Sequence, residues 1–298
     1  MESTETSLGA DTTSNRYIID IESGAETARL VEQDHLLTQA MGGLFPEQLD
    51  LAHVKRTLDI GCGPGTWVNN VAFAYPDIEV VGIDSNPTMI SYARAMAAVQ
   101  HLENAVFILM DVRKPLAFEE QSFDLVNGRF LASFLDQTCW SRLIAECKRV
   151  LTPGGILRLV ECEFSISSSL ALQRLNGALY QALRKQKRTF SVNGHSIGIA
   201  HMLGKLLHDA DFEKIEQRPF LLDASLGSDL YSSSRKHAEI SFLLLKPYLI
   251  GSGIVGEAEF DALHCTMMMD MLQDDFTCIS FGLSAWGKTP GTTALSGQ

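Results

Sequence analysis

Between Arg56 and Glu163 short apolar runs rich in β-branched residues alternate with stretches of helical periodicity, and no other feature of the chain constrains its fold as strongly. The runs are Thr57 to Ile60, Glu79 to Asp84, Ala105 to Met110, Phe123 to Asn127 and Ile156 to Glu161. A strand that is apolar along its whole length needs cover on both faces. Helices lying between successive strands supply that cover and imply a parallel sheet. Two later runs, Glu213 to Leu222 after a helix carrying Leu203, Leu206 and Leu207, and Phe276 to Trp286, extend the α/β sheet to seven strands.

Three stretches fall outside the alternation. Glu22 to Met41 reads as a helix with Leu30, Leu37 and Met41 on one face and Gly42-Gly43 as its stop. Leu170 to Arg188 carries Leu172, Leu175, Leu179 and Leu183 at helical spacing, as residues 224–272 carry Phe260, Leu263, His264, Met267, Met268 and Met271. These stretches are expected to pack above the sheet. The reading is therefore a single domain over residues 15–288, with a core at about 50–165, 203–222 and 276–288 and a helical cover at 17–45, 165–200 and 224–272. Residues 1–14 and 289–298, poor in apolar residues, read as flexible ends.

Charge and cysteine usage narrow the partners. Among 298 residues, 24 are Lys or Arg against 36 Asp or Glu, a net charge of −12. Nucleic-acid binders need the opposite balance, because neutralising phosphates supplies most of their affinity. Cys62, Cys139, Cys147, Cys162, Cys265 and Cys278 contain no CxxC pair, so no metal site is expected and free thiols in a reducing, cytoplasmic setting are. The acidic, polar start differs from a secretory signal. The most apolar late stretch, Ile240 to Ile250, is interrupted by Ser241, Lys246 and Pro247 and falls short of the roughly 20 residues a membrane span needs.

The chemistry concentrates at the ends of the first three runs. Asp59-Ile60-Gly61-Cys62-Gly63-Pro64-Gly65-Thr66 places glycines between a strand and a helix, where the backbone must turn sharply and lie close to a ligand. Thr66 occupies the third position of a GxGxxG fingerprint, which disfavours a nicotinamide dinucleotide. Asp84 closes the second run, where a carboxylate can accept hydrogen bonds from both hydroxyls of a ribose. Asp111 follows the third, within reach of an adenine amino group. Three strand tips thus carry suitable groups for one nucleoside.

In motif order and content the sequence resembles the class I S-adenosylmethionine-dependent methyltransferases. Asp59 to Gly65 resembles the first motif, Asp84 the acid after it, Asp111-Val112 the adenine motif, Phe123 to Val126 the fourth strand, and Arg149 to Gly155 the turn before the fifth. The resemblance implies a Rossmann-like seven-stranded sheet of order 3-2-1-4-5-7-6 with the last strand antiparallel. It also implies S-adenosylmethionine as cofactor and S-adenosylhomocysteine as product. Carried onto this chain, the cofactor-binding residues are Asp59, Gly61, Cys62, Gly63, Gly65, Asp84, Ser85, Met89, Asp111, Val112, Asn127 and Arg129.

Methyl transfer by in-line displacement chiefly demands alignment and exclusion of water, with a base needed only where the nucleophile is protonated. His195, His264 and Glu161 are the candidates for that base, and Glu163 and Arg129 lie near the expected methyl position. The fourth strand ends Asn127-Gly128-Arg129-Phe130, not the Asn/Asp-Pro-Pro-aromatic turn common in enzymes that methylate nucleic-acid bases. The basic run Arg184 to Arg188 reads as a solvated helix end. The expected acceptor is a small molecule, a specialised metabolite methylated on O, N or S, bordered by Tyr17, Arg29, Phe164, Tyr231, His264 and Met268. A nonenzymatic cofactor-binding regulator and a protein methyltransferase are the alternatives.

Overall fold

The computed structural model describes Ile19 and residues 24–291. Its centre is a sheet of β1 (Arg56–Ile60), β2 (Glu79–Asp84), β3 (Ala105–Leu109), β4 (Phe123–Arg129), β5 (Leu151–Cys162), β6 (Ile166–Ser167), β7 (Glu213–Asp223) and β8 (Cys278–Lys288). Strands β1 to β5 are parallel in the order 3-2-1-4-5. β8 runs antiparallel to β5 on one side and to β7 on the other. Seven strands were expected and eight are found among the described residues. Ile279 of β8 faces Ile166 of β6 on one side and Asp223 of β7 on the other, so β6 continues the row of β5. Counting that row once leaves the expected 3-2-1-4-5-7-6 order.

Among the described residues eight α-helices surround the sheet: α1 (Gly24–Met41), α2 (Thr66–Ala74), α3 (Pro87–Val99), α4 (Gln137–Val150), α5 (Leu170–Lys185), α6 (Leu203–Asp209), α7 (Tyr231–Gly251) and α8 (Glu257–Asp270). Local chemistry starts three of them. Asn86 accepts from the Thr88 N–H at 2.8 Å with Pro87 opening α3, Asp136 accepts from Thr138 and Cys139 at the head of α4, and Ser169 accepts from Leu172 at the head of α5.

The pleat divides the strands between two cores. Leu58, Ile60, Val81 and Ile83 meet Trp140, Leu143 and Ile144 of α4 on one face. Val80, Leu125 and Ile156 meet Trp67, Val68 and Val71 of α2 on the other. A third cluster is built by Leu175 and Leu179 of α5, Phe242, Leu245 and Leu249 of α7 and Phe260 and Met267 of α8, with no strand of the parallel core in it. Each such side chain, when fully buried, contributes about 1.5–3 kcal/mol, which holds the helical cover together as a small core of its own.

Two local readings are corrected. Leu151 to Gly155, expected as a turn ahead of the fifth strand, lies inside β5, where the register jumps from Phe123↔Leu151 to Leu125↔Ile156. The extra residues bulge out of the ladder with Gly154 at φ +78°. In the basic run, residues 184–187 are exposed but Arg188 is buried, and loss of solvation lowers the pKa of its guanidinium. No helix of the described residues is long and apolar enough to cross a membrane.

Candidate active site

The carboxyl ends of β1, β2 and β4, where open α/β sheets bind ligands, form the floor of a cavity of about 850 Å³. Gly61, Gly63 and Gly65 all hold positive φ in the loop from β1 to α2, but the space around them differs. A Cβ on Gly63 would meet only Leu30 Cδ1, at 4.0 Å, so the backbone there faces open space; one on Gly65 would stand 2.6 Å from both Ala93 Cβ and the Phe107 ring. Gly65 is therefore a packing glycine between α3 and β3 and does not line the cavity, contrary to its expected contact with cofactor.

Asp84 Oδ2 accepts from the Gly63 N–H at 3.0 Å and Oδ1 from the Asn86 N–H at 2.8 Å, tying the tip of β2 to the glycine loop. Burial raises its pKa although these N–H groups pull the other way. Asp59, 2% exposed, accepts from Asn127 Nδ2 at 2.7 Å. Burial lifts its carboxyl to about 6 against the lowering charge of Arg129 and the Asn127 bond. Asn127 Oδ1 in turn accepts from Arg158 at 2.6 Å, and Arg158 pairs with Glu47 at 2.9 Å. Asn127 thus stands behind the wall as a support for Asp59 and does not line the cavity, another departure from expectation. At the tip of β3, burial would raise the Asp111 carboxyl, but hydrogen bonds from Arg113 at 2.8 and 2.9 Å and its charge outweigh this and hold it below the usual range.

Ser85, Met89, Val112, Cys62 and Arg129 also face the cavity. Arg129, at the end of β4, pairs with Asp34 of α1 and lies 5.7 Å from the Trp67 ring, which clamps α1 over the floor. Arg29 of the same helix is held by both carboxylate oxygens of Glu26, at 2.6 and 2.7 Å, and donates to Gln33 at 2.6 Å.

The far wall comes from the end of β5 and from the cover. Glu161 accepts from the Ala132 N–H at 3.2 Å, and burial raises its carboxyl to about 8 despite that bond and one from Leu131. Glu163 accepts from the N–H groups of Ile197, Gly198 and Ala200 at 2.9 to 3.2 Å, pinning the loop after α5 across the site. Above them the lining is mostly apolar: Leu172, Leu179, Leu183, Phe242, Leu245 and Met271.

Of the other expected residues, Glu161, Arg29 and Phe164 line the cavity, whereas His195, His264, Tyr231 and Met268 do not. His195 is exposed in its loop. His264 stacks on Phe260 with ring centroids 6.0 Å apart, Tyr231 donates to the Met271 carbonyl at 2.6 Å, and Met268 packs into the cluster of α5, α7 and α8. Periodicity marks an apolar face on α8 without saying what it meets, and that face meets α5 and α7. Tyr17 lies outside the described residues. Sequence reasoning missed Gln33, Asp34, Trp67, Asn176, His237 and Ser241. A signal existed in α1, where Glu26, Arg29, Gln33 and Asp34 share a helical stripe with Leu30 and Leu37, a polar interruption of an inward face. Among the described residues no group of His, Cys, Asp and Glu could hold a metal ion.

The family described as "Methyltransferase domain" matches residues 57–155, the span that builds this floor. The chain is thus similar to methyltransferase domains over about a third of its length. The chain is 29% identical over 204 residues to methyltransferase pytC of Aspergillus terreus, covering 65% of this chain and 57% of that protein. It is 31% identical over 134 residues to the secondary metabolism regulator laeA of Coprinopsis cinerea, covering 43% of this chain and 31% of that one. The matches thus span little more than half of the first relative and under a third of the second. The crystal structure of the YcgJ protein from Bacillus subtilis shares the fold, with a TM-score of 0.52 at 16% identity over 87% of this chain and all of that one. Outside the methyltransferase span, α1, α5, α7 and α8 supply the cover.

Proposed function

We propose that this chain transfers a methyl group from S-adenosylmethionine to an O, N or S atom of an apolar small molecule, a specialised metabolite. One observation carries the reading: a single cavity of about 850 Å³ joins the glycine loop and Asp84 to an apolar roof. That volume lies in the upper part of the range of small-molecule sites, about 300–1,000 Å³, and leaves room for a second molecule beside a nucleoside. The residues fit the cofactor. Gly63 leaves its side open, and Asp84, which accepts backbone N–H groups from Gly63, Asn86 and Ser85, faces the cavity with an acceptor direction left for a ribose hydroxyl. The match to a protein named methyltransferase pytC and the chain's net charge of −12 further support a small, non-nucleic acceptor.

When bound, S-adenosylmethionine supplies a methyl group on a sulfonium. The chain's own residues supply position and dryness. Gly61, Gly63 and Asp84 would hold the nucleoside from below, and Asp59 and Arg129 would border the amino-acid end. Leu172, Leu179 and Phe242 would exclude water from the acceptor's approach. Glu161, protonated below pH about 8, would stand as a hydrogen-bond donor at that wall, not as a base.

The resemblance to a protein named as a regulator keeps a second reading in view, a cofactor-binding module without turnover. Incubating the chain with methyl-labelled S-adenosylmethionine and cell extract separates the two. Label in small molecules with release of S-adenosylhomocysteine supports methyl transfer, label in protein overturns the small-molecule acceptor, and binding without any turnover favours the regulator.

A further inference from the structure

Helix α7 brings three polar side chains, Ser234, His237 and Ser241, to a mostly apolar roof. His237 and Ser241 are one turn apart on the same face, both line the cavity, and Phe242 and Leu245 beside them are buried. Arg29 approaches His237 Nε2 with Nη1 at 3.4 Å. A guanidinium only donates, so Nε2 accepts and the ring proton sits on Nδ1. That Nδ1 is shut from water and has no hydrogen-bond partner among the described residues. Ser241 Oγ is in the same position, although a helical serine can return its hydroxyl to the carbonyl four residues back. Buried polar atoms are rarely left unpaired, because each carries its full desolvation cost. Two of them, one turn apart on residues that line one cavity wall, mark a place for a ligand atom.

Charge decides which atom. Arg29 is occupied by Glu26 and Arg129 by Asp34, so this part of the wall has no surplus cation for a carboxylate or phosphate. Burial and the nearby Arg29 also keep His237 neutral, with a pKa near 3. We propose that His237 and Ser241 are specificity-determining residues that bind a neutral oxygen, a carbonyl or an ether, on an otherwise apolar methyl acceptor. The inference rests on the methyltransferase reading above and deepens it by naming the acceptor class.

The test uses the full chain saturated with S-adenosylhomocysteine and two probes of nearly equal shape, 2-acetylnaphthalene and 2-isopropenylnaphthalene, titrated by fluorescence. The ketone is expected to bind about tenfold more tightly, the worth of one hydrogen bond. His237→Leu should bring the ratio close to one and Ser241→Ala should reduce it, both with S-adenosylhomocysteine affinity retained. If His237→Leu does not fold, Ser241→Ala carries the comparison. Equal binding of the two probes, binding of neither, or a preference that survives the substitutions overturns the proposal. Failure of the unsubstituted chain to bind S-adenosylhomocysteine is a different result, and removes the methyltransferase reading itself.

Discussion

Replacing Asp84 with Asn should weaken S-adenosylhomocysteine binding by about a hundredfold. The Asp84 carboxylate already accepts backbone N–H groups, from Asn86 at 2.8 Å, from Gly63 at 3.0 Å and from Ser85. The remaining lone pairs are what a ribose diol would donate to. Hydrogen bonds to a charged group contribute about 1.5–3 kcal/mol each, so a diol on the carboxylate gains at least about 3 kcal/mol. An amide keeps one acceptor oxygen and turns its NH₂ toward a backbone N–H group, which costs a loop contact as well. A loss of about 3 kcal/mol corresponds to roughly two decades in Kd. The fold should hold, because burial already disfavours the Asp84 charge and its removal relieves that cost. Isothermal calorimetry with S-adenosylhomocysteine, paired with thermal unfolding of the same samples, measures both quantities. A variant that unfolds with the wild type yet binds within threefold of it would refute the ribose assignment.

The glycine loop gives a paired expectation. Gly63→Val should abolish cofactor binding with a modest loss of stability, while Gly65→Ala should destabilise the whole domain by about 1–3 kcal/mol or more, since its methyl collides with Ala93 and Phe107; urea denaturation ranks the two, and equal stability losses contradict the division of roles. Asn127→Leu strands buried Asp59 and Arg158 and should cost about 2–4 kcal/mol, visible as a lower denaturation midpoint. For Glu161, burial raises the folded pKa from 4.5 to about 8, so the folded state keeps a proton that the unfolded chain releases. The contribution of Glu161 to stability is then full below its unfolded value of 4.5 and declines as pH rises toward 8. Between pH 6 and 8, above the value of about 6 reached by Asp59, Glu161→Gln should flatten that decline, and a slope equal to that of the wild type in parallel melts would rule out a buried protonated Glu161. Alanine at His195 or His264, neither of which lines the cavity, should leave cofactor affinity and turnover within about twofold, since surface changes away from special features stay within about 0.5 kcal/mol.

The parallel core was legible because its central strands are buried on both faces and their runs are mostly apolar, whereas β3 at the edge is partly exposed. Thr57 to Ile60 and Glu79 to Asp84 announce themselves by that requirement alone. The floor of the site was legible for a related reason, since glycines and acids at strand ends are read from the backbone geometry they must adopt. Two of its members were misplaced by the same logic. Gly65 has the positive φ of a loop glycine but its missing side chain makes room for Phe107, and Asn127 sits at the correct strand tip yet points to Asp59 and Arg158 behind the wall. Strand β6, only 2 residues long, has no pattern to read and exists because β8 extends past the end of β5.

The sequence by itself determined the strands and the positions of the glycine loop, Asp84 and Asp111, because these follow from local periodicity and from residue types that only certain backbone conformations admit; the strand order came from the family resemblance that its motifs carry. It also marked an apolar side on α1, α5 and α8, while α7 was read only as part of a single cover over residues 224–272. Which side of each helix meets the cavity was decided only in the tertiary structure. His264 and His237 both lie in helices of the cover, and nothing local distinguishes them. The packing of α8 against α5 and α7 turns the first away from the cavity, while the contact of α7 with α1 places the second on its wall beside Arg29. Helical periodicity fixes angles within one helix, whereas a cavity is bounded by several, and their relative rotation is set by how their side chains interlock.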